Sequence, residues 1–211
     1  ILDPAVGTGS FLQSIYRYVS PQNSSIKLLC TGIEQDQLSL MIAQFLSFIT
    51  NREMNLLLGD GLSSLVDQQE QADVILCQPP WGRSQTPQQR SRTLFIPSDS
   101  HLSNFIQVIT AKLKKGGRAA IIVPSSFCQT RRQFGAIKRQ LLSICTLHTI
   151  LHMPQGCLSW THVAPSILFL YKHETLSKFQ NENIRVIDES LNSQFMKTKT
   201  LTYDTLEGKE V

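Results

Sequence analysis

The chain has 211 residues, of which 41% are hydrophobic and 17% charged, which fits a globular domain and excludes a disordered polyelectrolyte. The net charge of +4 is unevenly distributed: residues 1–80 carry a net −5, residues 81–150 carry +10 and residues 151–211 carry −1. A basic middle third favours a surface that contacts a polyanion, although a solvated loop followed by a basic helix would give the same charge.

The five cysteines are widely spaced and include no C-x-x-C pair, which argues against a disulfide scaffold and against a cysteine zinc site. Free cysteines inside apolar runs are typical of a reducing compartment, so we predict a cytoplasmic protein. No apolar run reaches the ~20 residues that span a bilayer. We therefore expect no membrane contact, no signal peptide and no metal site.

Short apolar runs alternate with longer amphipathic runs, which predicts strands alternating with helices. After a strand end at Ile1–Pro4, the predicted strands are Leu28–Ile33, Asn55–Leu58, Ala72–Cys77, Ala119–Val123, Leu147–Leu151 and Pro165–Leu170. The predicted helices are Ser10–Tyr18, Gln37–Thr50, Leu102–Leu113 and Arg132–Ile144. Strands without polar alternation favour burial on both faces. We predict an α/β, Rossmann-like, doubly wound and mostly parallel sheet that ends in an antiparallel hairpin of the last two strands.

The second predicted helix carries a one-sided apolar stripe. Its members have the i, i+3, i+4 and i+7 spacing of one helix face and are Leu38, Met41, Ile42, Phe45, Leu46 and Ile49. Residues after Lys172 are polar, with one possible strand at Asn183–Asp188. We predict a core over residues 1–172 and a polar extension or linker over residues 173–211. Because the chain opens on the end of a strand, we expect the core to be N-terminally incomplete.

A glycine turn lies between the first strand and the first helix, with the sequence Asp3-Pro4-Ala5-Val6-Gly7-Thr8-Gly9. Two glycines allow a tight turn and a close approach by a ligand. The third glycine of the phosphate-binding fingerprint is absent, and a leading carboxylate repels a pyrophosphate. The turn therefore suits a ligand that carries a positive group.

Acidic residues also follow the next two strands. Glu34 ends the second strand, 25 residues after Gly9, close to the position of a ribose-binding acid in nucleotide-binding α/β units. Asp60 follows the third strand inside Gly59-Asp60-Gly61. The carboxyl ends of the strands are where open α/β sheets bind ligands, so we predict a ligand site there. The alternative is that Asp60 caps a helix and Glu34 is merely solvated.

The fourth strand ends in Gln78-Pro79-Pro80-Trp81. Proline has no N–H, which leaves nearby carbonyl groups free to face a cleft, and the indole offers a flat stacking surface. An amide, a rigid carbonyl and an aromatic plate suit a planar base with an amino group. The alternative is a Pro-Pro turn beside a core tryptophan. Arg83, Arg90 and Arg92 follow in a polar loop, where we predict contacts with nucleic-acid phosphates.

In this order the motifs resemble the amino-group methyltransferases that use S-adenosylmethionine. The resemblance is strongest to the N6-adenine DNA methyltransferases of type I restriction–modification systems and covers Ile1 to about Lys172. It implies a class I methyltransferase fold in which Asp3, Pro4, Gly7 and Gly9 surround the methionine part of the cofactor. It also implies that Glu34 binds the ribose hydroxyls and Asp60 the adenine amino group. Gln78, Pro79, Pro80 and Trp81 would then hold a flipped adenine, and the loop after Met153-Pro154 would help to shape that pocket.

Gln78 departs from the family pattern, which begins with Asn or Asp. The extra methylene moves the amide by about 1.5 Å, and misplacement on that scale can cost ~10²-fold in rate. Three interpretations stay open: an adenine methyltransferase that tolerates Gln78, a methyltransferase for another amine such as a protein glutamine, and a non-catalytic copy that binds cofactor or DNA. The expected partners are DNA and a specificity subunit, because the chain contains no evident target-recognition domain.

Overall fold

The structure is a computed structural model that describes residues 1–19, 26–64, 72–83, 96, 98–129, 131–174, 183–189 and 197–201. The strands are β1 Leu2–Asp3, β2 Cys30–Glu34, β3 Met54–Leu58, β4 Ala72–Cys77, β5 Leu113–Pro124, β6 Cys145–His152, β7 Pro165–Lys172, β8 Ile184–Asp188 and β9 Lys197–Leu201. The helices are α1 Ser10–Val19, α2 Gln37–Ile49, α3 His101–Lys112, α4 Ser126–Gln129 and α5 Arg131–Ile144.

The nine strands of the described residues form one sheet in the order β3-β2-β1-β4-β5-β7-β6-β8-β9. β1 to β5 pair in parallel, as the uninterrupted apolar runs predict. The chain runs outward from β1 to β3 on one side and resumes at β4 on the other side of β1. This reversal confirms the doubly wound prediction and creates a crevice at the carboxyl ends of the strands, between the turns that follow β1 and β4.

The predicted hairpin forms, since β6 and β7 pair antiparallel, but it is not the end of the sheet. β7 lies between β5 and β6, and the other edge of β6 pairs in parallel with β8, which β9 then extends. Ile184 and Val186 of β8 belong to the main hydrophobic core, which gives this strand a reason to join the sheet. The predicted strand at Asn183–Asp188 is therefore confirmed. The sheet extends past residue 172, and the position of the domain boundary stays a prediction.

The apolar stripe of α2 lies on the outer side of the helix. Leu40 and Ala43 are the residues that α2 buries. Ala43 faces the glycine turn, where a Cβ at Gly9 would lie 3.4 Å from the Ala43 Cβ. The helix therefore approaches the turn through the small side chain of Ala43, whereas most of its large apolar residues are exposed. Within the described part of the chain, no helix is long and apolar enough to cross a membrane.

Candidate active site

A cavity of about 410 Å³ lies at the carboxyl ends of the parallel strands, at the reversal between β1 and β4. Its wall contains Glu34 and Asp60 from one side of the reversal and Gln78 and Trp81 from the other. Pro4, Pro79 and Pro80 also line it. The structure thus brings together seven of the residues predicted from the motifs. Asp3, Gly7 and Gly9 lie in the adjoining turn and are not part of the cavity wall.

The two glycines of the turn adopt a backbone conformation that other residues rarely adopt. Gly7 has φ of +54° and Gly9 has φ of +86°, both in the left-handed region. The Gly9 N–H donates to the Val6 carbonyl at 2.9 Å, and the Gly9 carbonyl accepts from Gln13 at 2.9 Å. These bonds lead the chain directly from the turn into α1.

Glu34 fixes the glycine turn through both of its carboxylate oxygens. Its Oε2 accepts the Gly7 N–H at 2.8 Å, and its Oε1 accepts the Asp36 N–H at 2.8 Å. Each carboxylate oxygen can accept a further hydrogen bond. The carboxylate therefore has a fixed orientation and spare acceptor capacity on the cavity wall, an arrangement that suits a pair of vicinal hydroxyl groups.

Asp60 has two roles in the structure. Its Oδ1 accepts the Leu62 N–H at 3.0 Å, and its Oδ2 lies 3.2 Å from the Ser63 hydroxyl, so it caps the turn that follows β3. It also lines the cavity. The capping alternative and the ligand-site prediction are therefore compatible, because the hydrogen bonds that cap the turn also orient the carboxylate.

Asp3 is buried at the end of β1, where its Oδ1 accepts the Ala5 N–H at 3.1 Å. The pKa of this carboxyl is raised to about 7, mainly by burial; the hydrogen bond from Ala5 opposes the shift and the negative charge of Glu34 adds to it. A cationic ligand beside the turn would favour the ionised form. Asp3 is thus a buried acid whose charge state can respond to an occupant of the neighbouring cavity.

We expect the substitution Asp3→Asn to make the stability of the folded chain less dependent on pH. Between the usual pKa of 3.8 and the folded value of about 7, the folded chain holds a proton that the unfolded chain has released. The stability of the wild type therefore falls as pH rises through this range, and the loss is complete above pH 7. Asn keeps an acceptor for Ala5 but does not titrate. The Tm advantage of Asp3→Asn over wild type should grow between about pH 5 and about pH 8.

Thermal melts of Asp36→Asn provide the control, because the bonds from Ser39 lower the pKa of the Asp36 carboxyl and keep it ionised over the same range. Its Tm difference from wild type should stay constant between the two pH values. An equally constant difference for Asp3→Asn would exclude titration of Asp3.

The Gln78-Pro79-Pro80-Trp81 segment forms the opposite wall of the cavity. Pro79 is buried, Pro80 is exposed, and Gln78 and Trp81 are half-buried. The Trp81 indole N–H donates to the Ile122 carbonyl of β5 at 3.3 Å, which fixes the plane of the ring. The tryptophan is therefore part of the cavity wall and not a core residue.

Seven further residues line the cavity: Ala5, Ile33, Gln35 and Gly61 are neighbours of predicted residues, and Trp160, His101 and Phe105 come from segments outside the predicted site. Trp160 lies in the segment between β6 and β7 and meets Trp81 edge to face, with ring centroids 4.9 Å apart and an interplanar angle of 62°. His101 and Phe105 reach the wall from the first turns of α3. The sequence did offer a signal for Trp160: it is an aromatic residue in the loop after Met153-Pro154, which the resemblance places at the base pocket. The i, i+4 spacing was the only signal for His101 and Phe105.

The predicted arginine contacts are described only in part. Arg83 is exposed and its guanidinium lies 3.5 Å from the Asp99 carboxylate, which is also exposed. Such a surface pair contributes little to stability, so Arg83 can exchange this partner for another anion. Arg90 and Arg92 lie outside the described residues. Among the described side chains, no group of three or more His, Cys, Asp or Glu residues could hold a metal ion.

Solved structures identify the class of fold. The chain superposes with a TM-score of 0.77 on a Listeria monocytogenes protein assigned to the class I S-adenosylmethionine-dependent methyltransferases, at 21% identity over 89% of this chain and 57% of that one. The EcoKI M protein matches with a TM-score of 0.76 and 26% identity, over 98% of this chain and 47% of that protein. The fold is that of the class I methyltransferases, as predicted.

The chain belongs to the N-6 DNA methylase family, whose family model matches residues 1–209. It is 30% identical over 201 residues to the type I restriction enzyme StySPI methylase subunit of Salmonella potsdam. It is 29% identical to the EcoKI methylase subunit of Escherichia coli K12. Each alignment covers 87% of this chain and 38% of the relative, so the chain spans about two fifths of the length of these curated relatives.

Proposed function

We propose that the chain binds S-adenosylmethionine and transfers its methyl group to the exocyclic N6 of adenine in DNA, as part of a restriction–modification system. One observation carries the proposal: the acidic turns after β2 and β3 and the Gln78–Trp81 segment face each other across a single cavity. The donor and the acceptor of a methyl group must meet in one site. Here one wall is acidic, which suits a cationic methyl donor, and the other carries an amide and an indole, which suit a planar base.

The residues on the first wall fit the cofactor. The Glu34 carboxylate, which is already oriented by the Gly7 and Asp36 N–H groups, can accept hydrogen bonds from the two ribose hydroxyls. Asp60 can accept a hydrogen bond from the amino group of the cofactor's adenine. The buried Asp3 lies behind the glycine turn, which would contact the charged methionine part of the cofactor. The bound cofactor would supply an electrophilic methyl group on a sulfonium that is a good leaving group. The acids supply the negative field that such a cation needs.

The second wall fits a planar base that carries an amino group. The Gln78 side-chain oxygen and a carbonyl of the Pro-Pro turn are acceptors that can hold the two amino hydrogens. Accepting both hydrogens favours a more tetrahedral nitrogen and stabilises the positive charge that develops on it during transfer. Trp81, fixed by its bond to Ile122, offers a stacking surface. A base in duplex DNA reaches this wall only after it is flipped out of the helix.

The proposed substrate is DNA because the basic charge begins directly after this wall. Residues 81–150 carry 11 basic side chains and one acidic side chain. Arg83, Arg90 and Arg92 stand first in that run and are proposed to contact phosphates around the flipped base. A protein glutamine would not need this charge. Because the curated relatives are named methylase subunits, a specificity subunit is the proposed partner that selects the DNA sequence.

We expect Gln78→Asn to raise the rate of methyl transfer by about tenfold or more, because shortening the side chain returns the amide oxygen to the position that the family pattern uses. The measurement is transfer of a tritiated methyl group from S-adenosylmethionine to DNA, with identification of the methylated base. Gln44→Asn, at an exposed position on α2, makes the same chemical change outside the cavity and should leave the rate unchanged.

The same assay separates the alternatives. Transfer to protein glutamine and not to DNA would identify another amine as the substrate. Cofactor binding without transfer by either the wild type or Gln78→Asn would identify a non-catalytic copy. Either result would exclude the proposed reaction.

A further inference from the structure

A buried hydroxyl group joins several polar side chains where β7 begins. The Ser166 side chain has no accessible surface, and its oxygen lies 2.7 Å from the His152 Nδ1 and 3.0 Å from the Ser125 hydroxyl. The Cys128 thiol also contacts this oxygen. A hydroxyl group can donate one hydrogen bond and accept two. The three contacts match that capacity, so the side chain of Ser166 is fixed among its neighbours. We call the hydrogen bonds that join Ser125, Ser166 and His152 the Ser166 network.

The Ser166 network ties the segment between β6 and β7 to the end of β5. His152 is the last residue of β6, and it pairs in register with Ser166 of β7. The segment of residues 153–164 runs between these two strands. Ser125 directly follows β5, and its N–H donates to the Ala164 carbonyl at 2.9 Å. Both ends of the segment are therefore fixed relative to the end of β5.

The end of β5 also holds the tryptophan of the opposite cavity wall. The Ile122 carbonyl, three residues before Ser125, accepts the Trp81 indole N–H. Trp160 belongs to the segment between β6 and β7, and its ring meets that of Trp81 edge to face at 4.9 Å. Because 53% of the Trp160 surface is exposed, burial alone does not fix this ring. Its position depends on the segment that carries it, and hence on the Ser166 network.

The network also contains the residue types of a hydrolytic triad. Asp188 of β8 pairs in register with His152, and His152 contacts Ser166, which gives the order Asp, His, Ser. A nucleophile has to reach its substrate, and the Ser166 hydroxyl is fully buried with its hydrogen-bonding capacity in use. The arrangement therefore cannot perform nucleophilic catalysis. Its geometry serves to hold one segment against another.

We propose that Ser125, Ser166 and His152 are positioning residues that hold Trp160 against Trp81 and thereby set the space available to the methyl-accepting base. The second half of this statement rests on the proposed function. None of the three residues lines the cavity, so each acts through the segment that carries Trp160. Trp160 borders the surface on which the base is proposed to stack. Misplacement of a substrate by about 1 Å can cost ~10²-fold in rate, so a small shift of this segment has a large expected effect.

The first test is spectroscopic and does not depend on methyl transfer. Trp81 and Trp160 are the two tryptophans of the chain, so the tryptophan exciton couplet in circular dichroism reports on this pair alone. Ser166→Ala removes the oxygen at the centre of the network and should reduce the couplet to the level of Trp160→Phe, which has no pair. Ser143→Ala removes a half-buried hydroxyl group from α5, where it bonds to the Gln140 carbonyl, and should leave the couplet unchanged.

The second test uses the full chain in the methyl-transfer assay. Ser166→Ala should lower kcat/KM for unmethylated DNA about tenfold, because the base then meets a displaced wall. Its Kd for S-adenosylmethionine should stay within about twofold of the wild type, because the acidic turns lie on the other side of the cavity. Ser143→Ala should match the wild type in both measurements.

Substitutions of His152 decide the question if Ser166→Ala does not fold. His152→Asn keeps a hydrogen-bonding group close to the place of Nδ1 and should retain most of the couplet, whereas His152→Leu should lose it. His148→Leu makes the same change at an exposed position of the same strand and should have no effect.

A couplet that survives both Ser166→Ala and His152→Leu would overturn the proposal, because the network would not hold Trp160. Loss of the couplet with an unchanged kcat/KM would overturn the role in placing the base. A wild type that transfers no methyl group would contradict the proposed function, and the couplets of the same variants would still decide whether the network positions Trp160.

Discussion

Replacing Gly61 by Ala should destabilise the fold by about 3 kcal/mol and lower Tm by roughly 10 °C. A Cβ at this position would lie 1.9 Å from the Pro4 carbonyl oxygen and 2.9 Å from the Pro4 carbonyl carbon. Both atoms belong to the backbone of the turn after β1, which is also held by its own hydrogen bonds, so no side chain can move aside. The alanine therefore has to separate the turn after β3 from the turn after β1.

Gly135→Ala is the matched control for this substitution. Gly135 lies inside α5, and a Cβ there would lie 3.7 Å from the end of the flexible Arg139 side chain. Because alanine is a better helix former than glycine, this variant should gain up to about 1 kcal/mol. Chemical denaturation of both variants measures the two free energies. A Gly61→Ala chain as stable as the wild type would mean that the two turns do not interlock.

Replacing Glu34 by Ala should weaken binding of S-adenosylmethionine by at least about 100-fold. Two hydrogen bonds between the carboxylate and the ribose hydroxyls would be lost, and bonds to a charged group contribute about 1.5–3 kcal/mol each. The Gly7 and Asp36 N–H groups would also lose their acceptor, so the glycine turn would no longer be held in place. The effect on affinity therefore combines a lost contact with a loosened site.

Calorimetric titration with the cofactor measures this change in Kd. Glu53→Ala removes the same charge from an exposed position and should leave Kd within about twofold of the wild type. Equal affinity of Glu34→Ala and the wild type would exclude the ribose contact. Loss of affinity in both variants would indicate a general electrostatic attraction and not a site at Glu34.

The sequence predicted the position of the cavity because that position follows from the order of the elements. Asp3, Glu34, Asp60 and Gln78 each lie at the end of a strand or within two residues after it, and the carboxyl ends of parallel strands meet at one edge of a sheet. No knowledge of side-chain packing is needed for that inference. The same reasoning could not tell that Asp3 is buried behind the turn while Glu34 and Asp60 line the cavity, because burial depends on how the neighbouring turns pack.

Trp160 illustrates what could not be predicted. It is 79 residues from Trp81 along the chain, and the two rings meet because β7 inserts antiparallel between β5 and β6. Strand insertion depends on pairing between distant segments, which local patterns do not record. β8 shows the same limit: a possible strand was predicted at Asn183–Asp188, but its pairing with β6, which extends the sheet beyond the predicted hairpin, was not.

The apolar stripe of α2 shows a different limit. Periodicity identified Leu38, Met41 and Phe45 as members of one face, and they are. A periodic pattern does not say what covers that face, and the side that α2 buries against the sheet consists of Leu40 and Ala43.

A crystal structure of the chain with S-adenosylhomocysteine, the stable product of the proposed reaction, would locate both halves of the site at once. We predict the ribose hydroxyls at the Glu34 carboxylate and the sulfur facing Gln78 across the cavity, with Trp81 held by the Ile122 carbonyl as it is here. Density for the ligand outside this cavity, or an empty cavity at saturating ligand, would mean that the acidic turns and the Gln78–Trp81 segment do not form a methyl-transfer site.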